Sequence, residues 1–172
     1  LGVNHDFDPA LPIFHKKIGR GTANFARGPA MSRAEAEASV RAGIDIVDEL
    51  CASGPVDMIG TGDMGIGNTT PSSAIIAAFA GVDPAVVTGR GTGINDDSWS
   101  HKVATIRRAL EINKPDPGYP IDVLAKVGGF EIGGLAGLVL GAAARKIPVV
   151  CDGLISTAGG LVACELAPAA RE

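Results

Sequence analysis

The first strongly periodic stretch of the chain places Val40, Ile44, Val47 and Cys51 at i, i+4, i+7 and i+11, the spacing of one buried helical face. Ser32-Arg33-Ala34-Glu35 is a capping box that starts this helix, and Gly54-Pro55 stops it. The pattern then shortens. Val56–Ile59 reads as a short buried strand, Thr70–Ala80 as a helix and Ala85–Thr88 as the next strand. A further helix carries Val103, Ile106 and Leu110, and Asn113–Pro120 is a loop. Ile121–Val127 predicts a short helix, "GGFEIGG" a glycine-rich connection, and Leu135–Ala144 an apolar helix of small residues. Pro148–Cys151 is a third strand, followed by a helix from about Ile155 to Leu166. Residues 1–31 read as loop, irregular over 9–31, with Leu1-Gly2-Val3 as the last residues of a strand.

Strand, glycine loop and helix alternate, which predicts an α/β domain with a parallel sheet and helices on both faces. Ligands of such sheets gather beyond the carboxyl ends of the strands. Three loops qualify: Gly60–Thr70, Gly89–Asn95 and Asp152–Ser156.

Composition narrows the reading. The 172 residues suit one domain, and 46% hydrophobic against 20% charged residues excludes a disordered chain. The 24 glycines follow no collagen period, so they point to tight turns and close backbone approaches. A net charge of -4 argues against nucleic-acid binding, which needs a cationic face. Cys51, Cys151 and Cys164 form no CxxC pair, and His5, His15 and His101 show no metal spacing. The cysteines read as reduced thiols in a cytoplasmic protein. No secretory leader is evident, and no apolar run reaches the ~18 residues of a membrane span. The chain opens on Leu1 rather than Met and closes on "LAPAARE", so a piece of a longer protein is expected.

The candidate chemistry lies in "VDMIGTGDMGIGNTT". Gly60-x-Gly62-x-x-Gly65 matches the dinucleotide fingerprint literally, a weak signal by itself. That fingerprint wants its third glycine at a helix start and an acid about 20 positions on. Here Gly67 intervenes before the threonines, and the next predicted strand ends in Thr88-Gly89-Arg90. No Gly-Lys-Ser/Thr follows, so a P-loop is excluded. What remains is a glycine turn feeding a helix start, which supplies N–H donors to an anion. Gly65, Gly67, Asn68, Thr69 and Thr70 therefore predict a mononucleotide or sugar-phosphate site, on which Gly89-Arg90-Gly91-Thr92-Gly93 could close. Asp63, Lys102 and Asp152 fall at the same predicted edge, where an acid and a lysine could pair. Glu131 is a fourth ionisable candidate, whereas His5 and Asp6 read as incidental.

Taken together, "GTANFARGPAM", "GTGDMGIGNTT", "GRGTGINDD" followed by Lys102, "VGGFEIGGLAG" and "PVVCDGLISTAGGLVA" closely resemble the nicotinate-nucleotide:dimethylbenzimidazole phosphoribosyltransferase family, in order and over nearly the whole chain. The resemblance implies transfer of phosphoribose from nicotinate mononucleotide to a benzimidazole, for the lower ligand of cobamides. It also implies a three-layer, Rossmann-like α/β fold with a small helical subdomain, and a homodimer. Lys102 matches the family's active-site lysine, and Gly65 to Thr70 with the Gly89–Gly93 loop would surround the phosphoribosyl group. Asp63 stands where the family has glutamate in "GEMGIGNTT", one methylene shorter. The nicotinate nitrogen is already cationic, so it leaves without a proton, and no cofactor is expected. Family members are roughly twice this length. The glutamate that serves as their catalytic base, in a "GEG"-like segment, has no counterpart here, so this chain alone is expected to be inactive.

Overall fold

The computed structural model describes residues 1–90, 93 and 95–172. Helix α1 (Arg33–Ser53) begins at the expected capping box: Ser32 Oγ accepts from Glu35 N at 3.2 Å, and Glu35 Oε2 accepts from Ser32 N at 2.8 Å. Strand β1 (Ile59–Thr61) follows, then α2 (Thr69–Ala80), α3 (Pro84–Val87), α4 (Asp96–Asn113), α5 (Pro120–Val127) and α6 (Phe130–Ala143). Strand β2 (Val149–Cys151), α7 (Gly153–Leu166) and a 3-10 turn (Pro168–Arg171) complete the chain. β1 and β2 pair in parallel, Ile59 opposite Val149 and Thr61 opposite Cys151. The α/β class therefore stands, on a sheet of two strands among the described residues.

Three of the expected strand assignments change. β1 lies three residues later than the Val56 start assigned to it, because Met58 is exposed and Ile59 is the residue buried against Val47 and Ala142. Ala85–Thr88 is not a strand. Asp83 accepts from Ala85 N at 2.8 Å and Pro84 occupies the first helical turn, so a local Asp-Pro cap overrides the β-branched run. Val86 is accordingly 75% exposed, where a sheet strand would bury it. Leu1–Val3 forms no strand either, although Leu1 O accepts from Ile18 N at 2.8 Å. This irregular start is further held by Asp6, which pairs with Lys17 and Arg20.

The core is organised around α6, which starts five residues earlier than predicted and takes most of "GGFEIGG" into its first turns. A Cβ on Gly137 would lie 2.0 Å from Val40 O, and one on Gly43 would lie 2.1 Å from Gly134 O. Helices α1 and α6 thus meet backbone to backbone, which only glycine allows. On another side of α6, Gly159 of α7 would place a Cβ 2.6 Å from Leu135 Cβ. Apolar side chains of α2, α4, α5, α6 and α7, among them Ile75, Ile106, Leu124, Ile132 and Val162, fill the remaining core. This packing fixes the first turn of α6 next to the loop after β1.

Candidate functional site

β1 ends at Thr61, and the chain turns back on itself through Gly65 (φ 76) and Gly67 (φ 81), both left-handed. Asp63 Oδ1 braces this turn by accepting from Gly65 N at 2.7 Å and from Asn68 Nδ2 at 2.9 Å. Asn68 is the N-cap of α2, and its carbonyl receives Ser72 N at 3.1 Å. The amides of Thr69 and Thr70 lie in the first helical turn, where no intrahelical acceptor exists for them. They stand at the positive end of the helix dipole.

Lys102, on α4, reaches the same helix start and donates from Nζ to Thr69 Oγ1 at 2.8 Å. It forms no ion pair among the described residues, and burial pushes its ammonium below the usual lysine range. The acid–lysine pair considered for this edge does not form: among the described residues Lys102 pairs with neither Asp63 nor Asp152. Asp63 is instead turned to its own loop, while Lys102 faces the helix it would help to bind an anion.

Beside this turn opens a cavity of about 870 Å³, lined by Gly62, Asp63, Gly67, Asn68 and Glu131 among others. Glu131 sits in the first turn of α6, folded back so closely that a Cβ on Gly129 would lie 2.3 Å from its Oε1. Burial raises the Glu131 carboxyl above its ordinary range; a bond to its own backbone amide opposes this, and the nearby Asp63 charge adds to it. Asn68 is 8% exposed, and its Oδ1 has no partner among the described residues.

The other candidates are more scattered. Asp152 is exposed at the end of β2, 4.0 Å from where Gly62 would carry a Cβ, so it borders the first loop. Ile155 of α7 abuts the same loop at Gly65. Arg90 is held by Asp96 at 2.5 Å and lies 5.7 Å over the Trp99 ring, whose Nε1 donates to Thr88 O at 2.8 Å. Gly89, Arg90 and Gly93 do not line the cavity, and Gly91 and Thr92 lie outside the described residues. Lys102, Thr69 and Thr70 flank the cavity through α2 rather than line it.

The sequence reading assigned no role to Thr22–Phe25, Leu1–Val3 or Phe130, all of which line the cavity. They come from distant parts of the chain; Thr22–Phe25 and Phe130 lie within the family-like blocks "GTANFARGPAM" and "VGGFEIGGLAG", the signal that could have found them. Among the described residues, no cluster of three or more His, Cys, Asp or Glu has the arrangement of a metal site. No helix is long and apolar enough to cross a membrane.

Comparison with known proteins places this geometry in a family. A protein of Geobacter sulfurreducens bearing the name nicotinate-nucleotide–dimethylbenzimidazole phosphoribosyltransferase is 58% identical over all 172 residues, and one of Syntrophobacter fumaroxidans with the same name is 54% identical over 171. The chain spans about half the length of these relatives, 49% and 48% respectively. The crystal structure of CobT from Thermus thermophilus superposes with a TM-score of 0.88 at 39% identity, covering 99% of this chain and 50% of that one. A second structure from the same organism, described as nicotinate-nucleotide-dimethylbenzimidazole phosphoribosyltransferase, gives 0.89 at 37% identity and covers 99% and 49%. The family model for phosphoribosyltransferase (DBI_PRT) matches residues 1–172, from the first to the last, and the chain belongs to that family.

Proposed function

We propose that this chain carries the nucleotide-binding part of a transferase that moves phosphoribose from nicotinate mononucleotide to 5,6-dimethylbenzimidazole or a related base. The products are nicotinate and α-ribazole 5'-phosphate, for the nucleotide loop of cobalamin. The observation that carries this reading is Lys102 bonded to Thr69 Oγ1 at the start of α2, just after the Gly65–Gly67 turn. One cation, helix-start amides and hydroxyls converge there, which is what a phosphate monoester needs. The adjoining cavity offers room for the ribose and its ring substituent.

The chemistry asks little of proton donors. As the glycosidic C–N bond breaks, its electron pair goes to the pyridinium nitrogen and leaves neutral aromatic nicotinate nitrogen behind. The sugar carbon, cationic in the transition state, is taken by the benzimidazole nitrogen, and the second ring nitrogen then loses its proton. Held substrate and fixed charges therefore supply the main rate advantage. The experiment is calorimetric titration with nicotinate mononucleotide, followed by an assay of nicotinate release with dimethylbenzimidazole present. Binding that Lys102→Ala weakens supports the reading; absence of binding overturns it.

A second reading is a non-catalytic mononucleotide-binding module. It rests on the same Lys102–Thr69 helix start, which holds a phosphate with or without turnover. Binding without turnover in the same assay selects it. We further propose a cytoplasmic homodimer; the three cysteines, all free, fit a reducing compartment, and light scattering reads the mass.

A further inference from the structure

Trp99, the single tryptophan of the chain, lies outside the cavity lining, in the first turn of α4 and three residues before Lys102. Residues three apart on a helix are neighbours, so the indole and the lysine share one side of α4. The indole Nε1 donates to Thr88 O at 2.8 Å, at the exit of α3. The buried Thr88 Oγ1 has no partner among the described residues, so α4 grips Thr88 by its carbonyl. One residue earlier, Val87 O accepts from Ser73 Oγ of α2 at 3.1 Å, and Ser73 is fully buried. Ser73 in turn stands about one helical turn beyond Thr69, the residue that Lys102 reaches. The contacts close a ring through Thr69 and Ser73 on α2, Val87 and Thr88 at the end of α3, and Trp99 and Lys102 on α4.

We infer that Trp99 is a positioning residue of the phosphate site: its N–H fixes the first turn of α4 against α3, and this sets where Lys102 meets the start of α2. This role rests on the phosphate reading of Lys102 above and adds to it a residue that acts through the lysine. A lysine side chain is long and flexible, so a defined cation beside α2 requires its helix to be held. A second link between α3 and α4, from Arg107 to Asp83, is exposed at both ends and constrains them weakly. The half-buried indole bond is therefore the firmer constraint, and the one nearer Lys102. The ring face is occupied separately: the Arg90 guanidinium lies 5.7 Å from its centroid while pairing with Asp96. Trp99→Phe thus keeps a ring under Arg90 and removes only the N–H. Burial alone lowers the Lys102 pKa, with no charged neighbour acting on it. Helices α2 and α3 carry no titratable side chain, Asp122 and Lys126 of α5 pair with each other, and Asp96 of α4 pairs with Arg90.

The experiment titrates inorganic phosphate by calorimetry into the wild-type chain, Trp99→Phe, Lys102→Ala and the double variant, at a series of alkaline pH values. Trp99→Phe is expected to weaken phosphate by about fivefold, the effect of one neutral hydrogen bond, and by less than about twofold in the Lys102→Ala background. The alkaline decline in affinity should move to higher pH in Trp99→Phe, because a lysine released from burial keeps its proton longer. Unchanged affinity, equal weakening in both backgrounds, or an unmoved pH profile overturns the inference and leaves the phosphate site standing. A wild-type chain that binds no phosphate overturns the functional reading and the inference with it. Benzothienylalanine in place of Trp99, which keeps the shape of the indole without its N–H, decides the question if Trp99→Phe does not fold.

Discussion

Lys102 and Thr69, 33 residues apart in sequence, meet through a 2.8 Å hydrogen bond from the lysine Nζ to the threonine Oγ1. The bond ties the first half of α4 to the opening turn of α2 and sets a cation beside a helix dipole of the same sign. Such an arrangement is unfavourable until an anion joins it. Lys102→Ala is therefore expected to weaken binding of inorganic phosphate or nicotinate mononucleotide by about tenfold or more, while stability changes little. Because burial lowers the lysine pKa, the ammonium deprotonates at lower pH than an ordinary lysine. Phosphate affinity, followed by calorimetry, should thus decline on raising the pH before the usual lysine range near about 10.4 is reached.

Gly67 isolates backbone conformation from space. A Cβ there meets nothing within 4 Å, yet its φ of 81° is left-handed. Gly67→Ala should cost about 1–2 kcal/mol through that conformation alone, a fall in Tm of about 2–8 °C by thermal melt. If the loop relaxes instead, stability is retained and the anion affinity falls, since the turn no longer presents α2 in the same way.

At the α1–α6 contact the same residue type is needed for the opposite reason. A Cβ on Gly137 would sit 2.0 Å from Val40 O, a distance that backbone atoms cannot accommodate without parting the helices. Gly137→Ala is expected to destabilise the chain by about 3 kcal/mol or more, or to prevent soluble expression. Gly28→Ala is the control: a Cβ there meets nothing within 4 Å and no left-handed φ is required, so its melting curve should overlay the wild type.

Glu131 makes stability depend on pH. Its folded pKa is raised by burial, so between the ordinary glutamate range and that raised value the folded chain binds more protons than the unfolded one. Stability therefore falls as pH rises through this window. Glu131→Gln removes the titration and should raise Tm in mild base but not in acid, read by thermal melts across the pH range. A larger gain in acid than in mild base would contradict the assigned direction.

Consecutive residues were enough to specify the elements whose ends carry local chemistry. The Ser32–Glu35 capping box began α1, the Val40–Cys51 periodicity buried one face of it, and the Gly65–Thr70 run gave a left-handed turn leading into α2. Those are short-range preferences of backbone and side chain. Where two local signals competed, the pattern misled: Ala85–Thr88 looks like a strand, but Asp83-Pro84 caps a helix there. Which charges meet was settled by the folded arrangement alone. Lys102 goes to Thr69 and not to Asp63; Glu131, Asp63 and Asn68 line one cavity; and Thr22–Phe25 closes on it from the far end of the chain. The cause is packing. How closely α1, α6 and α7 approach, set by Gly43, Gly137 and Gly159, fixes where the first turn of α6 lies, and no residue of that turn encodes its own neighbours.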